Sequence, residues 1–141
     1  MEIELEFSKK IEELYGDKRN PFEDITLSKY IYQSHLFKIE ERKNLKHLEV
    51  FTIDPENSND ADDGFSFFYE NNKLYLAIHI ADPTHFIPLH SELWKNIEKR
   101  ITTKYPSNRE IISLLPKELE NLCSLKTNNY QEEKIAISII W

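Results

Sequence analysis

The chain has 141 residues, enough for one domain with a modest core, and its balance of 40% hydrophobic and 30% charged residues is that of a globular protein. No apolar run approaches the roughly 18 residues of a membrane span, and the acidic start Met1-Glu2-Ile3-Glu4 lacks the basic and apolar regions of a signal peptide. A net charge of −7 argues against an autonomous nucleic-acid binder, which normally carries a basic face.

In chain order, Ile3, Phe7, Ile11 and Leu14 recur at helical spacing, and Gly16 stops that helix. Asn20-Pro21 marks a turn, and Asp24 caps a second helix through about Ser34. Glu40 to His47 reads as a charged, solvated linker, so residues 1–47 are expected to form a helical N-terminal extension and linker. From Leu48 the pattern turns β-rich. Strands are expected at Leu48–Ile53, Phe65–Tyr69 and Lys73–Ala81, the last two joined by a hairpin turn at Glu70-Asn71-Asn72. On the third strand Leu74, Leu76, Ile78 and Ile80 share one face, and Tyr75, Ala77, His79 and Ala81 the other. His79 is expected to be a structural histidine rather than a ligand, and Asp82-Pro83 to end the strand, with Asp82 in a turn-forming role.

Ser91 caps a helix carrying Leu93, Trp94, Ile97 and Ile101, and Pro106 ends any continuation. Pro116 starts a short helical turn through Leu122. Cys123 is the single cysteine. It can form no internal disulfide, fits a reducing, cytoplasmic setting, and lies between Leu122 and Leu125 as a packed residue rather than a nucleophile. Lys134 to Trp141 forms a last, β-branched strand with nothing after it, an unprotected edge. The fold class expected is α+β, a mixed β-sheet with flanking helices.

Between the first two strands lies the most unusual stretch. Asp54, Glu56, Asp60, Asp62 and Asp63 fall within ten positions with no Lys or Arg among them. Carboxylates this close resist ionising together unless water or a cation compensates. A hard divalent ion suits the cluster: Mg²⁺ takes oxygen ligands, keeps several waters and needs few carboxylates. Asp60-Ala61-Asp62 puts two carboxylates on one side of an extended segment with Asp63 on the other, and Gly64 is expected to turn the backbone before Phe65. A calcium loop with Gly64 at its sixth position would need a ligand at Ala61, which has none. A lone Asp-x-Asp also occurs in sugar transferases, but no nucleotide-binding βαβ pattern accompanies it. A solvated acidic turn remains the plain alternative on residues alone. Tyr105, just before Pro106, is expected to be exposed, with core packing by a tyrosine as the plain alternative.

Four blocks together resemble the catalytic domain of the ribonuclease II family, the RNB domain. They are Thr52-Ile53-Asp54-Pro55 with Asp60-Ala61-Asp62-Asp63, Leu76 to Phe86, Lys99 to Tyr105, and Leu114 to Leu125 with its Leu-Cys-Ser-Leu ending. Their order and spacing match the family over roughly residues 48–140, so residues 48–141 are expected to be a partial RNB-like catalytic domain. The resemblance implies a Mg²⁺-dependent (or Mn²⁺-dependent) 3′–5′ exoribonuclease that hydrolyses single-stranded RNA. It implies metal ligation by Asp54, Asp60, Asp62 and Asp63, with Asp62 and Asp60 catalytic, and base stacking by Tyr105. The family also uses an arginine, a glutamate and a further aromatic from later in the domain, so a truncated or split catalytic domain is expected, with a possible partner polypeptide supplying the rest. The alternative is a non-catalytic RNB remnant acting as an interaction module.

Overall fold

The computed structural model describes residues 41–56, 58, 60–106, 110–127 and 132–141. The two helices expected before residue 40 lie outside the described residues. The sheet is built from β1 (Asp63–Glu70), β2 (Lys73–Ala81) and β3 (Ala136–Ile140), in the order β1-β2-β3. Both pairings are antiparallel, so where a mixed sheet was expected the described strands form an antiparallel one. The hairpin explains the first pairing. Glu70 pairs with Lys73 across Asn71 and Asn72, whose φ values of 50° and 60° are those of a two-residue primed turn. Asn tolerates that left-handed backbone better than other non-glycine residues.

The expected first strand, Leu48–Ile53, shrinks to one bridge between Phe51 and Phe65. Each donates to the other's carbonyl, at 2.9 and 2.8 Å. Gly64 shows why the contact is so close. A Cβ there would lie 2.9 Å from Val50 Cγ1 and 3.3 Å from the Phe51 carbonyl oxygen. Gly64 sits inside β1, opposite His79. Its role is therefore to admit the crossing segment, rather than to turn the chain as the sequence suggested.

The two sides of the sheet differ in chemistry. On the buried side, Ser66 Oγ lies 2.8 Å from His79 Nε2, and Ser138 Oγ lies 2.8 Å from His79 Nδ1. This ladder crosses all three strands and satisfies both ring nitrogens, which is the structural role expected for His79. Ala77 and Ser66 are fully buried beside it. The other side carries Phe67, Leu74, Ile80, Ile137 and Ile139, all exposed.

The helices supply a separate small core. Helix α1 (Glu92–Arg100) is capped by Ser91 Oγ, which accepts from Trp94 N at 3.1 Å. Helix α2 (Lys117–Cys123) starts directly after Pro116. Leu93, Leu119 and Ile87 pack together, with Trp94, Ile97 and Leu122 against them. Ile101, expected within this helix, instead ends it with a φ of 68° and is exposed.

Asp82 forms the turn expected of it. Its carboxylate accepts from Thr84 N and Thr84 Oγ1 at the start of a 3₁₀ turn, Pro83–His85. It is buried, and Arg42 reaches it at 2.7 Å. Burial alone would push its carboxyl up, but the Thr84 and Arg42 hydrogen bonds and the Arg42 charge outweigh that and hold it below its ordinary value. A buried carboxylate needs such a partner. Arg42 is thus drawn out of the segment that reads as a solvated linker.

Candidate metal centre

The acidic stretch is held from three directions. The Phe51 bridge fixes the chain just before Asp54. At the far end, Asp62 carbonyl oxygen accepts from Ala81 N at 2.8 Å and Asp63 opens β1 opposite Ile80. In the middle, Ser58 N donates to the Pro55 carbonyl at 2.9 Å, and Ser58 Oγ donates to the Asp60 carbonyl at 2.6 Å. Ala61 is fully buried, its N–H donating to Ser124 Oγ at 3.0 Å and its carbonyl accepting from Leu125 N at 2.8 Å. A small apolar residue between two acidic ones is what this pivot requires: Ala61 goes inward and its neighbours stay near the surface.

Around Asp62 the charges crowd. Burial lifts its carboxyl above the ordinary value, and the charges of Asp60, Asp63, Asp54 and Glu120 lift it further. The side chain still reaches solvent, which screens part of the repulsion. The other three sequence-predicted aspartates are therefore all close enough to act on Asp62. Yet among the described residues no three or more His, Cys, Asp or Glu side chains converge on a point where they could hold an ion. The donor chemistry fits a hard divalent cation that binds through one or two carboxylates and completes its shell with water and phosphate oxygens, rather than one that needs an all-protein cage.

Sequence reading missed two charged neighbours on α2. Glu120, on α2, is near enough for its charge to act on Asp62. Lys117, one turn earlier on the same helix, lies 3.3 Å from Glu120 and 3.8 Å from Asp60. The loop contains no cation of its own, but α2 delivers one. The signal available was the i, i+3 spacing of Lys117 and Glu120 at the start of a helix. Nothing local indicated that this helix would pack beside the loop.

Lys104 pairs with Ile112 in an isolated bridge, Pro106 is buried, and Tyr105, between them in the chain, is 71% exposed. Of its two sequence readings, core packing is excluded. Cys123 is buried, and burial pushes its thiol up to about 12, so it stays protonated and packs as expected.

The RNB domain family matches residues 42–141. The chain belongs to the RNB family. Ribonuclease R of Chlamydia pneumoniae is 38% identical over 122 residues, covering 84% of this chain and 18% of that protein. DIS3-like exonuclease 2 of Schizosaccharomyces pombe is 39% identical over 105 residues, covering 74% of this chain and 11% of that protein. The fold is similar to that of Mycoplasma genitalium RNase R in complex with ribose-methylated single-stranded RNA, with a TM-score of 0.60 at 22% identity over 90% of this chain and 23% of that one. The RNB-family chain thus spans less than a quarter of the length of these relatives, all of them ribonucleases or exonucleases by name.

Proposed function

We propose that this RNB-family chain is the metal-binding part of a 3′–5′ exoribonuclease acting on single-stranded RNA. The observation that carries the reading is the crowding of Asp54, Asp60, Asp63 and Glu120 around Asp62, held by a buried pivot at Ala61. Such repulsion is maintained at a cost unless a cation relieves it. Asp54, Asp60, Asp62 and Asp63 would supply the carboxylates, one or two to each Mg²⁺ or Mn²⁺ ion, and a bound divalent ion would supply Lewis acidity toward the RNA phosphate.

The residues of the chain do the rest of the local work. Asp62, whose carboxyl is lifted above the ordinary aspartate value by burial and by the neighbouring carboxylates, is suited to accept a proton from an attacking water. Lys117 lies at the rim, where it offers a positive charge to a phosphate once Asp60 is engaged elsewhere. Tyr105, exposed on its own loop, offers a ring face to a base, a contact worth about 1–3 kcal/mol and tolerant of sequence. The wider clamp on transition-state charge comes from the part of the domain that the relatives have and this chain does not match. Efficient turnover therefore draws on that part of the domain as well.

The exposed sheet side of Phe67, Leu74, Ile137 and Ile139 offers that part of the domain an apolar surface to cover. It also favours a second reading, a non-catalytic module that uses the same apolar side to bind another protein. The test separates the two. Added Mn²⁺ should raise the melting temperature of the chain, by about 2.7 kcal/mol of stability at a hundredfold excess over Kd, and Asp62→Asn with Asp63→Asn should remove the effect. Mixing with a polypeptide carrying the remainder of an RNB domain should then give Mg²⁺-dependent 3′–5′ degradation, lost in Asp62→Asn. Complex formation without metal binding or degradation would leave the interaction module as the function.

A further inference from the structure

The acidic loop is shaped from a distance, by the two residues that follow α2. Ala61 has no exposed surface, and both its backbone polar groups end on that dipeptide: its N–H on Ser124 Oγ at 3.0 Å, its carbonyl on Leu125 N at 2.8 Å. Ser124 is itself buried and closes the helix, its N–H donating to the Glu120 carbonyl at 2.8 Å. The residue after a helix is commonly Gly or Asn. A serine there with its hydroxyl turned away from the helix and onto another segment has a second use. Its Oγ also accepts from Lys126 N at 3.2 Å, which fixes the hydroxyl oxygen as an acceptor facing the loop. Water cannot substitute at a fully buried N–H without room to enter, so losing the oxygen leaves that N–H unpaired.

The mechanical consequence follows from repulsion. Asp60 and Asp62 flank Ala61, and their like charges push the loop open when no cation is present. The tie to Ser124 opposes that push at the one residue whose displacement would move both carboxylates. We propose that Ser124 is a positioning residue of the metal centre, acting through the Ala61 amide to keep Asp60 and Asp62 at binding separation before an ion arrives. This inference rests on the proposed metal-binding reading of the loop.

The experiment uses the full 141-residue chain and Mn²⁺ as the probe, with free Mn²⁺ followed by electron paramagnetic resonance at a temperature where every variant is folded. Supports of this kind typically change metal affinity by about 10–100-fold when removed. Ser124→Ala should weaken Mn²⁺ by that order, and Ser124→Thr, which keeps the hydroxyl, should restore it. Amide exchange at Ala61 should quicken in Ser124→Ala and not in Ser124→Thr. A merely structural serine would lower the melting temperature and leave the Mn²⁺ affinity of the folded protein unchanged. Should Ser124→Ala not fold, Ser124→Cys, similar in volume and a weak acceptor, is judged by the same criterion. Saturable Mn²⁺ binding by the wild type with equal affinity in the variant overturns the positioning role and leaves the metal reading standing. No saturable binding by the wild type overturns both.

Discussion

Asp62 and His79 are both perturbed, in opposite senses, and the signs lead to different experiments. Asp62 takes up a proton more readily in the folded chain than an ordinary aspartate, because burial and four neighbouring carboxylates disfavour its charge. Its ionised form therefore weighs against the metal-free fold at neutral pH, and that penalty is relieved as pH falls through the raised folded value. Asp62→Asn should raise the melting temperature of the metal-free protein by a few degrees at most, since solvent screens the charges, while abolishing any response to Mn²⁺. A lowered melting temperature would mean that the carboxylate is satisfied without metal. His79 runs the other way. Burial lowers its pKa below 6.5, so the unfolded chain accepts a proton that the folded chain refuses. The stability is fully present above 6.5 and is lost as pH falls from there toward the folded value. His85 is lowered in the same direction by burial and by Arg42, against the opposing charge of Asp82. Thermal melts between about pH 7.5 and pH 5.5 should show falling stability, with a shallower slope in His79→Asn. The slope should not vanish in that variant, because His85 shares its sign.

At the scale of the element, the β1–β2 hairpin and the strand β3 are opposite cases. The hairpin is locally determined: Asn71 and Asn72 both occupy left-handed backbone. Asn72→Ala should cost about 1 kcal/mol, the penalty for a Cβ-bearing residue in that region without a polar side chain, and Asn72→Gly should be neutral or stabilising. Chemical denaturation of the two variants measures the difference. Strand β3 reads as a strand from its alternating, β-branched residues, but its partner is set by a long-range return to β2, Ile80 opposite Ile137 and Ile78 opposite Ile139. It is an edge strand of the described sheet, with Ile137 and Ile139 exposed on one face. Such an edge invites strand addition. The isolated chain should self-associate at micromolar concentration by light scattering, and Ile137→Lys with Ile139→Lys should reduce it. A monomer with slowly exchanging amides across β3 would count against a free edge.

Across the whole molecule, the legible and the illegible parts divide by range of interaction. The acidic stretch, both β1–β2 strands with their turn, the Ser91 cap and the start of α2 at Pro116 could all be read along the chain. Each depends on contacts within a few residues: period-two alternation, a side-chain oxygen reaching the first helical turn, a fixed proline φ. The family resemblance was legible for the same reason, since its four blocks are short and local. What sequence reading could not supply depends on segments far apart in the chain. It could not show that Leu48–Ile53 is only a crossing segment, because that rests on the gap left by Gly64 beneath Val50 and Phe51. It could not show Arg42 seated on buried Asp82, nor Ser66, His79 and Ser138 joined into one ladder. Nor could it reveal that α2 brings Glu120 and Lys117 beside the aspartates and ties Ala61 to Ser124. The residue types that make a metal centre possible lie in a local run of carboxylates. Their arrangement was decided by packing, because burying Ala61 required a hydrogen-bond acceptor that only a helix end some sixty residues later provides.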